Sequence, residues 1–265
     1  MDLGLTNARV VVTGGASNIG RGIVHAFAAE GARIVLNDID EPQASKVRDE
    51  AIDLGAAAVD LAISDLTTPE GAKETLGLAV TQWGGIDVLV NNAGWSVPGF
   101  VATDTDRGKW QRTMAVNFYS AVAATQAAIG PMKDGGGGAL VFIASDAAFG
   151  QIRQGIYGAS KAAMVAFART TAREHGRHGI RSNIVCPGLV MPDGPDAVGA
   201  SSLWSVGEDE VFNPKQIDFM LKDTPMRRLT TAEDIARAVL WFSSPLAARQ
   251  VTGQMISVSG GYTMP

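Results

Sequence analysis

The chain of 265 residues holds one cysteine, Cys186. That excludes an intrachain disulfide and fits a reducing compartment. A basic excess is also missing. There are 22 Lys and Arg against 27 Asp and Glu, a net charge of −5, with no basic stripe. Nucleic acid is therefore not an expected partner. No apolar run approaches the roughly 20 residues that cross a bilayer. The opening stretch lacks the basic and long apolar regions of a secretion signal. The expectation is a cytoplasmic protein without a membrane partner. Histidine is scarce, at three residues. His175 and His178 fall near a helix end, where their polarity suits the helix dipole, and His25 falls inside a helix. No metal site is expected.

What is present points to a globular α/β protein. Hydrophobic residues make up 46% and charged residues 18%, which places the chain among folded proteins. Apolar, β-rich runs occur at 9–13, 33–37, 58–63, 88–91, 139–144, 181–186 and 254–258. They are mostly continuous rather than alternating, as strands covered on both faces require. Helical stretches lie between them at 19–30, 42–54, 69–83, 107–133, 156–178 and 231–243. This alternation predicts a doubly wound, seven-stranded parallel sheet with helices on both faces, a Rossmann fold. No linker divides the chain, so residues 1–265 read as one domain. The segment 192–225 is a long insert, and long inserts in compact domains are usually functional lids.

The first run leads into Thr13, Gly14, Gly15, Ala16, Ser17, Asn18, Ile19 and Gly20, and a helix follows. A glycine turn there lets a pyrophosphate approach the backbone and the helix N-terminus. The second run ends at Asp38, eighteen residues after Gly20. An acidic side chain at that point suits the adenosine ribose hydroxyls. It repels the extra phosphate of NADP, so NAD is the expected cofactor.

Tyr157 and Lys161 stand four residues apart, on one face of a helix. Tyrosine has an ordinary pKa of about 10, too high for a base near neutrality. A neighbouring ammonium favours the phenolate. Ser145, at the end of the fifth run, offers a hydroxyl to the substrate oxygen. Asn117 lies in the helix before that run. Cys186, at a strand end, reads as a small buried residue rather than a nucleophile.

With these motifs in order, the chain resembles the classical short-chain dehydrogenase/reductase family over essentially its whole length. The resemblance rests on Thr13-Gly14 through Gly20, Asn91-Asn92-Ala93-Gly94, Asp65 with Leu66, the set Asn117, Ser145, Tyr157 and Lys161, and Pro187-Gly188. It implies an NAD-dependent alcohol dehydrogenase or ketone reductase. Asp65 would contact the adenine, and Asn92, Ala93 and Gly94 would lie beside the cofactor. Tyr157 would be the acid/base, Ser145 would hold the substrate oxygen, and Lys161 would lower the tyrosine pKa and bind the nicotinamide ribose. Asn117 would hold a water in a proton relay. A homotetramer is also implied, with the long helices and the C-terminal segment 251–265 at its interfaces. In finer detail, stretches such as 91–95 and 257–264 resemble the branch containing 2-hydroxycyclohexanecarboxyl-CoA dehydrogenase.

Two residues depart from the family pattern. Asn18 replaces the middle glycine of the turn. Asparagine tolerates a left-handed backbone, and its side chain is placed to cap the helix or touch a phosphate. Pro192 replaces a threonine that helps hold the nicotinamide carboxamide, so that contact is either lost or supplied elsewhere, as by the Leu189 and Val190 backbone. Trp95, Asp146, Ile152, Leu189 and Trp204 are candidate substrate residues, with Val97, Phe149, Phe212, Phe219 and Met220 around them. Most are large and apolar, so a hydrophobic cyclic or aryl ketone is expected. The lid carries seven acids against two lysines, which ranks an acyl-CoA or other hydroxyacyl thioester second. A non-catalytic NAD sensor or scaffold is the alternative of another class.

Overall fold

The computed structural model describes residues 2–206 and 214–265. Strands β1 (Arg9–Thr13), β2 (Arg33–Asp38), β3 (Ala58–Ile63), β4 (Val88–Asn91), β5 (Gly138–Ile143), β6 (Ile180–Pro187) and β7 (Met255–Val258) form one sheet. Its order is β3-β2-β1-β4-β5-β6-β7. Every neighbouring pair is parallel. The central strands β1 and β4 are buried along nearly their whole length, which is why their sequences read as unbroken apolar runs.

Helices α1 (Asn18–Ala29), α2 (Glu41–Asp53), α3 (Pro69–Trp83), α4 (Arg107–Met114), α5 (Ser120–Asp134), α6 (Gly155–His175), α7 (Pro214–Asp223) and α8 (Ala232–Ser243) connect and cover the strands. Side-chain caps mark several starts. Asp40 accepts from the Gln43 amide at the start of α2, and Thr68 accepts from the Gly71 amide at the start of α3. Thr231 and Asp234 form a reciprocal capping box on α8. One apolar layer joins Ile23, Val24 and Phe27 of α1 and Ile235 and Val239 of α8 to Val10, Val12, Ile34 and Leu36. The opposite layer joins Leu76 of α3, Ala124 and Met132 of α5, and Met164 and Ala168 of α6 to Val11, Leu89 and Leu140. The sheet is thus wound on both faces. Among the described residues no helix is long and apolar enough to cross a membrane.

Two expected elements differ in detail. The stretch 107–133 is not one regular helix, because the π-helical turn Ala115–Tyr119 separates α4 from α5. Such a turn holds an extra residue and commonly marks a functional site. The stretch 156–178 ends as α6 at His175 and continues in the tighter turn Gly176–His178. In segment 192–225 the described parts include the short turns Pro195–Ala197 and Leu203–Val206 and then α7. The Lys46 ammonium donates to the Asp196 carbonyl at 3.1 Å, and the Gly199 amide donates to Ser17 Oγ at 2.9 Å. These bonds hold the segment against α2 and the glycine turn.

Candidate active site

The C-terminal ends of the strands open into a cleft of about 1280 Å³. It lies where the strand order reverses, between β1 and β4, the usual ligand position in a doubly wound sheet. Its wall holds Gly14, Ser17, Asn18, Ile19 and Gly20 from the glycine turn and Asp38 from β2. It also holds Asp65, Leu66, Asn92, Ala93, Gly94, Pro187, Gly188 and Val190.

The glycine turn is tied to the sheet by Asn92, whose amide donates to the Thr13 and Gly14 carbonyls at 2.9 and 2.8 Å. The Asn92 and Ala93 amides donate to Thr13 Oγ1 at 2.9 and 3.0 Å. Gly20 has no room for a side chain, since a Cβ there would lie 1.9 Å from the Gly14 carbonyl oxygen. Asn18 adopts φ +42°, the left-handed backbone that asparagine tolerates. Its amide does not cap α1. It donates to the Val190 carbonyl at 3.1 Å, and its Oδ1 is buried without a hydrogen-bond partner. The two departures from the family pattern are therefore joined, because Asn18 grips the segment that leads to Pro192.

The Asp38 carboxylate accepts from the Ala16 amide at 3.0 Å, the Ile39 amide at 2.8 Å and the Asp40 amide at 3.1 Å. Burial raises its pKa, and these three bonds oppose the rise. Asp65 shapes its own turn as well as facing the cleft: its Oδ1 accepts from the Thr67 amide at 2.9 Å and from the Thr67 hydroxyl at 2.8 Å.

Ser145, Tyr157 and Lys161 meet on the cleft wall. Ser145 follows β5 and accepts from the Ala147 amide at 3.1 Å. Burial raises the Tyr157 phenol pKa, and a hydrogen bond with Ser145 pulls it back. The Lys161 ammonium lies 5.8 Å from the centre of the Tyr157 ring and donates to the Ile143 carbonyl at 2.8 Å. Burial lowers Lys161 to about 8. Burial alone therefore moves both groups away from a phenolate–ammonium pair.

Asn117 is fully buried behind the wall, on the π-helical turn. Its Oδ1 accepts from the Trp95 amide at 2.7 Å, and its Nδ2 donates to the Trp95 carbonyl at 3.0 Å and to Ser160 Oγ at 2.9 Å. The side chain grips both backbone groups of Trp95, a cleft residue.

Among the substrate candidates, Trp95, Ile152, Leu189 and Trp204 line the cleft, as do Phe219 and Met220. Asp146 does not. It is 1% exposed, and its carboxylate accepts from Ser257 Oγ at 2.9 Å. Successive residues leaving a strand point to opposite sides, so Ser145 faces the cleft and Asp146 faces the C-terminal segment. Val97 and Phe149 are exposed but lie off the wall. Phe212, with Glu208, Asp209 and Glu210, lies outside the described residues. Cys186 is buried, and that burial pushes its thiol up to about 12, so it is no nucleophile. Wall residues that the sequence does not single out include Arg112, Arg153 and Tyr262, and Lys215 enters it only as one of the two lid lysines. Arg112 is three residues before the π-helical turn, and Arg153 directly follows Ile152, but nothing in a linear pattern shows which way they face.

Comparison with known proteins agrees with this geometry. Residues 14–263 match the family model described as Enoyl-(Acyl carrier protein) reductase. The 7alpha-hydroxysteroid dehydrogenase of Escherichia coli (strain K12) is 33% identical over 261 residues, covering 98% of this chain and 96% of that protein. The D-beta-hydroxybutyrate dehydrogenase of Rhizobium meliloti (strain 1021) is 33% identical over 262 residues, covering 96% and 97%. A solved 7 alpha-hydroxysteroid dehydrogenase, complexed with NADH and 7-oxo glycochenodeoxycholic acid, superposes with a TM-score of 0.88 at 32% identity, covering 98% of this chain and 96% of its own. The chain belongs to the classical short-chain dehydrogenase/reductase family and is an oxidoreductase of alcohols and ketones.

Proposed function

We propose that this protein interconverts a secondary alcohol and a ketone with NAD, on a hydrophobic cyclic or aryl substrate, and that Tyr157 is the acid/base. The observation that carries this reading is the meeting of Ser145, Tyr157 and Lys161 on the same cleft wall as the glycine turn and Asp38. The residues fit the cofactor. No side chain caps the start of α1, so its first amides suit a pyrophosphate. The Asp38 carboxylate suits a ribose diol and opposes a phosphate there, which favours NAD over NADP. Asp65 and Leu66 would flank the adenine. Pro187, Gly188 and Val190 would border the nicotinamide, beside Asn92, Ala93 and Gly94. When bound, NAD supplies the hydride-accepting carbon and a positive charge.

The side chains do the rest. Ser145 orients the substrate oxygen. Tyr157 takes the alcohol proton in oxidation and returns it in reduction. Lys161, with a pKa of about 8, is mostly charged near neutrality, and its charge favours the phenolate that burial disfavours. The Asn117 side chain is taken up by Trp95 and Ser160, so it acts as a positioning residue, and the relay water between Lys161 and solvent would lie beside its turn. Segment 192–225 serves as the lid. Assembly as a cytoplasmic homotetramer completes the reading. Such an assembly would cover Tyr119, 59% exposed at the end of the π-helical turn, and Met264, 83% exposed in the C-terminal segment.

Tyr157→Phe tests the assignment. Turnover should fall about 10²–10⁴-fold, while titration with NADH gives wild-type affinity. Wild-type turnover in the variant would remove Tyr157 from the reaction. A wild-type protein that binds NADH yet oxidises none of a panel of cyclic alcohols, aryl alcohols and hydroxyacyl thioesters would favour the NAD-sensing alternative.

A further inference from the structure

Charge is sorted along the cleft. Among the described residues the acids on its wall are Asp38, Asp40 and Asp65, all at the nucleotide end. The other side is built from Trp95, the end of α4, the segment 150–154 and α7. It carries Arg112, Arg153 and Lys215 and, among the described residues, no acid. Among the described residues none of these three cations forms an ion pair. The Arg112 guanidinium is held 4.8 Å from the centre of the Trp95 ring, and that of Arg153 lies 5.5 Å from the centre of the Phe100 ring.

Arg153 carries a second sign. Its φ is +67°, a backbone that an arginine adopts only when its surroundings impose it. They do. The Gly99 amide donates to the Arg153 carbonyl at 2.8 Å, and Ser96 Oγ donates to Gln154 Oε1 at 3.0 Å. The Arg153 side chain is exposed, so core packing does not account for the imposed geometry. The bonded backbone instead places Arg153 on the cleft wall. Apolar surface lies on the same wall, where Ile152 is 84% and Phe219 66% exposed.

The lid's overall acidity does not describe the side it turns to this wall. Asp196 pairs with Lys46 at 3.3 Å and Asp218 with Lys222 at 2.6 Å, and neither acid lines the cleft. The described lid residues that do line it include Trp204, Phe219, Met220 and Lys215.

We infer that the substrate is an apolar alcohol or ketone that also bears an anionic group, held by Arg112, Arg153 and Lys215 while its carbinol carbon sits at Tyr157. The inference rests on the alcohol–ketone reading above and adds the substrate class. A guanidinium fork suits a carboxylate or a phosphate equally, so the anion can be a carboxylate on the substrate itself or the phosphates of a coenzyme A thioester.

Matched probes separate charge from body and one anion from the other. The first pair is 4-(1-hydroxyethyl)benzoate and its methyl ester. The second is 3-hydroxy-3-phenylpropanoyl-CoA and the N-acetylcysteamine thioester of the same acid, which lacks the phosphates. NAD reduction should be at least about tenfold faster in kcat/KM for the anionic member of one pair, a difference of about 1.4 kcal/mol. The gain should lie in KM and shrink with added salt. Preference within the first pair assigns a carboxylate, and preference within the second assigns the phosphates. The anionic-to-neutral ratio should fall toward one in Arg112→Gln, Arg153→Gln and Lys215→Gln.

The same pairs, as their ketones, are titrated into the NADH complex by calorimetry, so the outcome does not depend on turnover. Equal or weaker binding of the anionic member in both pairs overturns the inference. Selective binding of an anionic ketone, with no probe oxidised or reduced, would instead count against the alcohol–ketone reading.

Discussion

Lys161 shows how the site works against the fold. Its side chain is buried, and burial lowers its pKa from 10.5 to about 8. The folded state therefore binds fewer protons than the unfolded chain between these values. Stability rises with pH across that window, and below about pH 8 the full cost of a buried ammonium is present. That cost is at most about 3 kcal/mol, from 1.36 kcal/mol per unit. The bond to the Ile143 carbonyl recovers part of it. Lys161→Met keeps the stem and removes the charge. Without cofactor at pH 7 the variant should be more stable by about 2 kcal/mol, or roughly 5 °C in Tm, and it should lose turnover. The difference should fade as pH rises from about 8 toward 10.5. Paired thermal melts across that range check it, and a variant that melts below wild type at pH 7 sinks the argument.

At the scale of elements, the strands and most helices were legible because burial on two faces leaves long apolar runs, with the helical stretches between them. The π-helical turn at Ala115–Tyr119 was not legible. Its extra residue brings Asn117 to the Trp95 backbone, and that demand comes from another element. Asp146 was misread for a similar reason, since adjacency to Ser145 says nothing about facing. Asn18 joins elements directly, linking the glycine turn to the segment after β6 through Val190. Asn18→Ala puts a side chain that cannot hydrogen-bond at φ +42° and removes that link. It should cost about 2 kcal/mol, roughly half from the backbone and half from the bond. Asn18→Gly loses the bond and removes the backbone strain, so it should cost less. Urea melts of the pair separate the two contributions. An alanine variant as stable as wild type would refute both contributions.

For the whole molecule, one parallel sheet packed on both faces has its switch point between β1 and β4, and the nucleotide side of the cleft is built from both halves. Charge along that cleft is a property of the assembled molecule. The lid's net charge in the sequence pointed away from acidic substrates, while the side it turns to the cleft carries Lys215 and no described acid. A ligand that binds only the folded sheet stabilises all of it. At a hundred times its Kd the gain is about 2.7 kcal/mol, which for a chain of this size means roughly 5–10 °C in Tm. NADH should produce that shift. NADPH at the same concentration should produce less than half of it, because the Asp38 carboxylate faces the added phosphate. Gly20→Ala should abolish the shift, since its Cβ would meet the Gly14 carbonyl and displace the turn. The variant's own Tm provides the baseline, so lost binding is read apart from lost stability. Equal shifts with the two cofactors would refute the reading of Asp38, and a full NADH shift in Gly20→Ala would refute the reading of the turn.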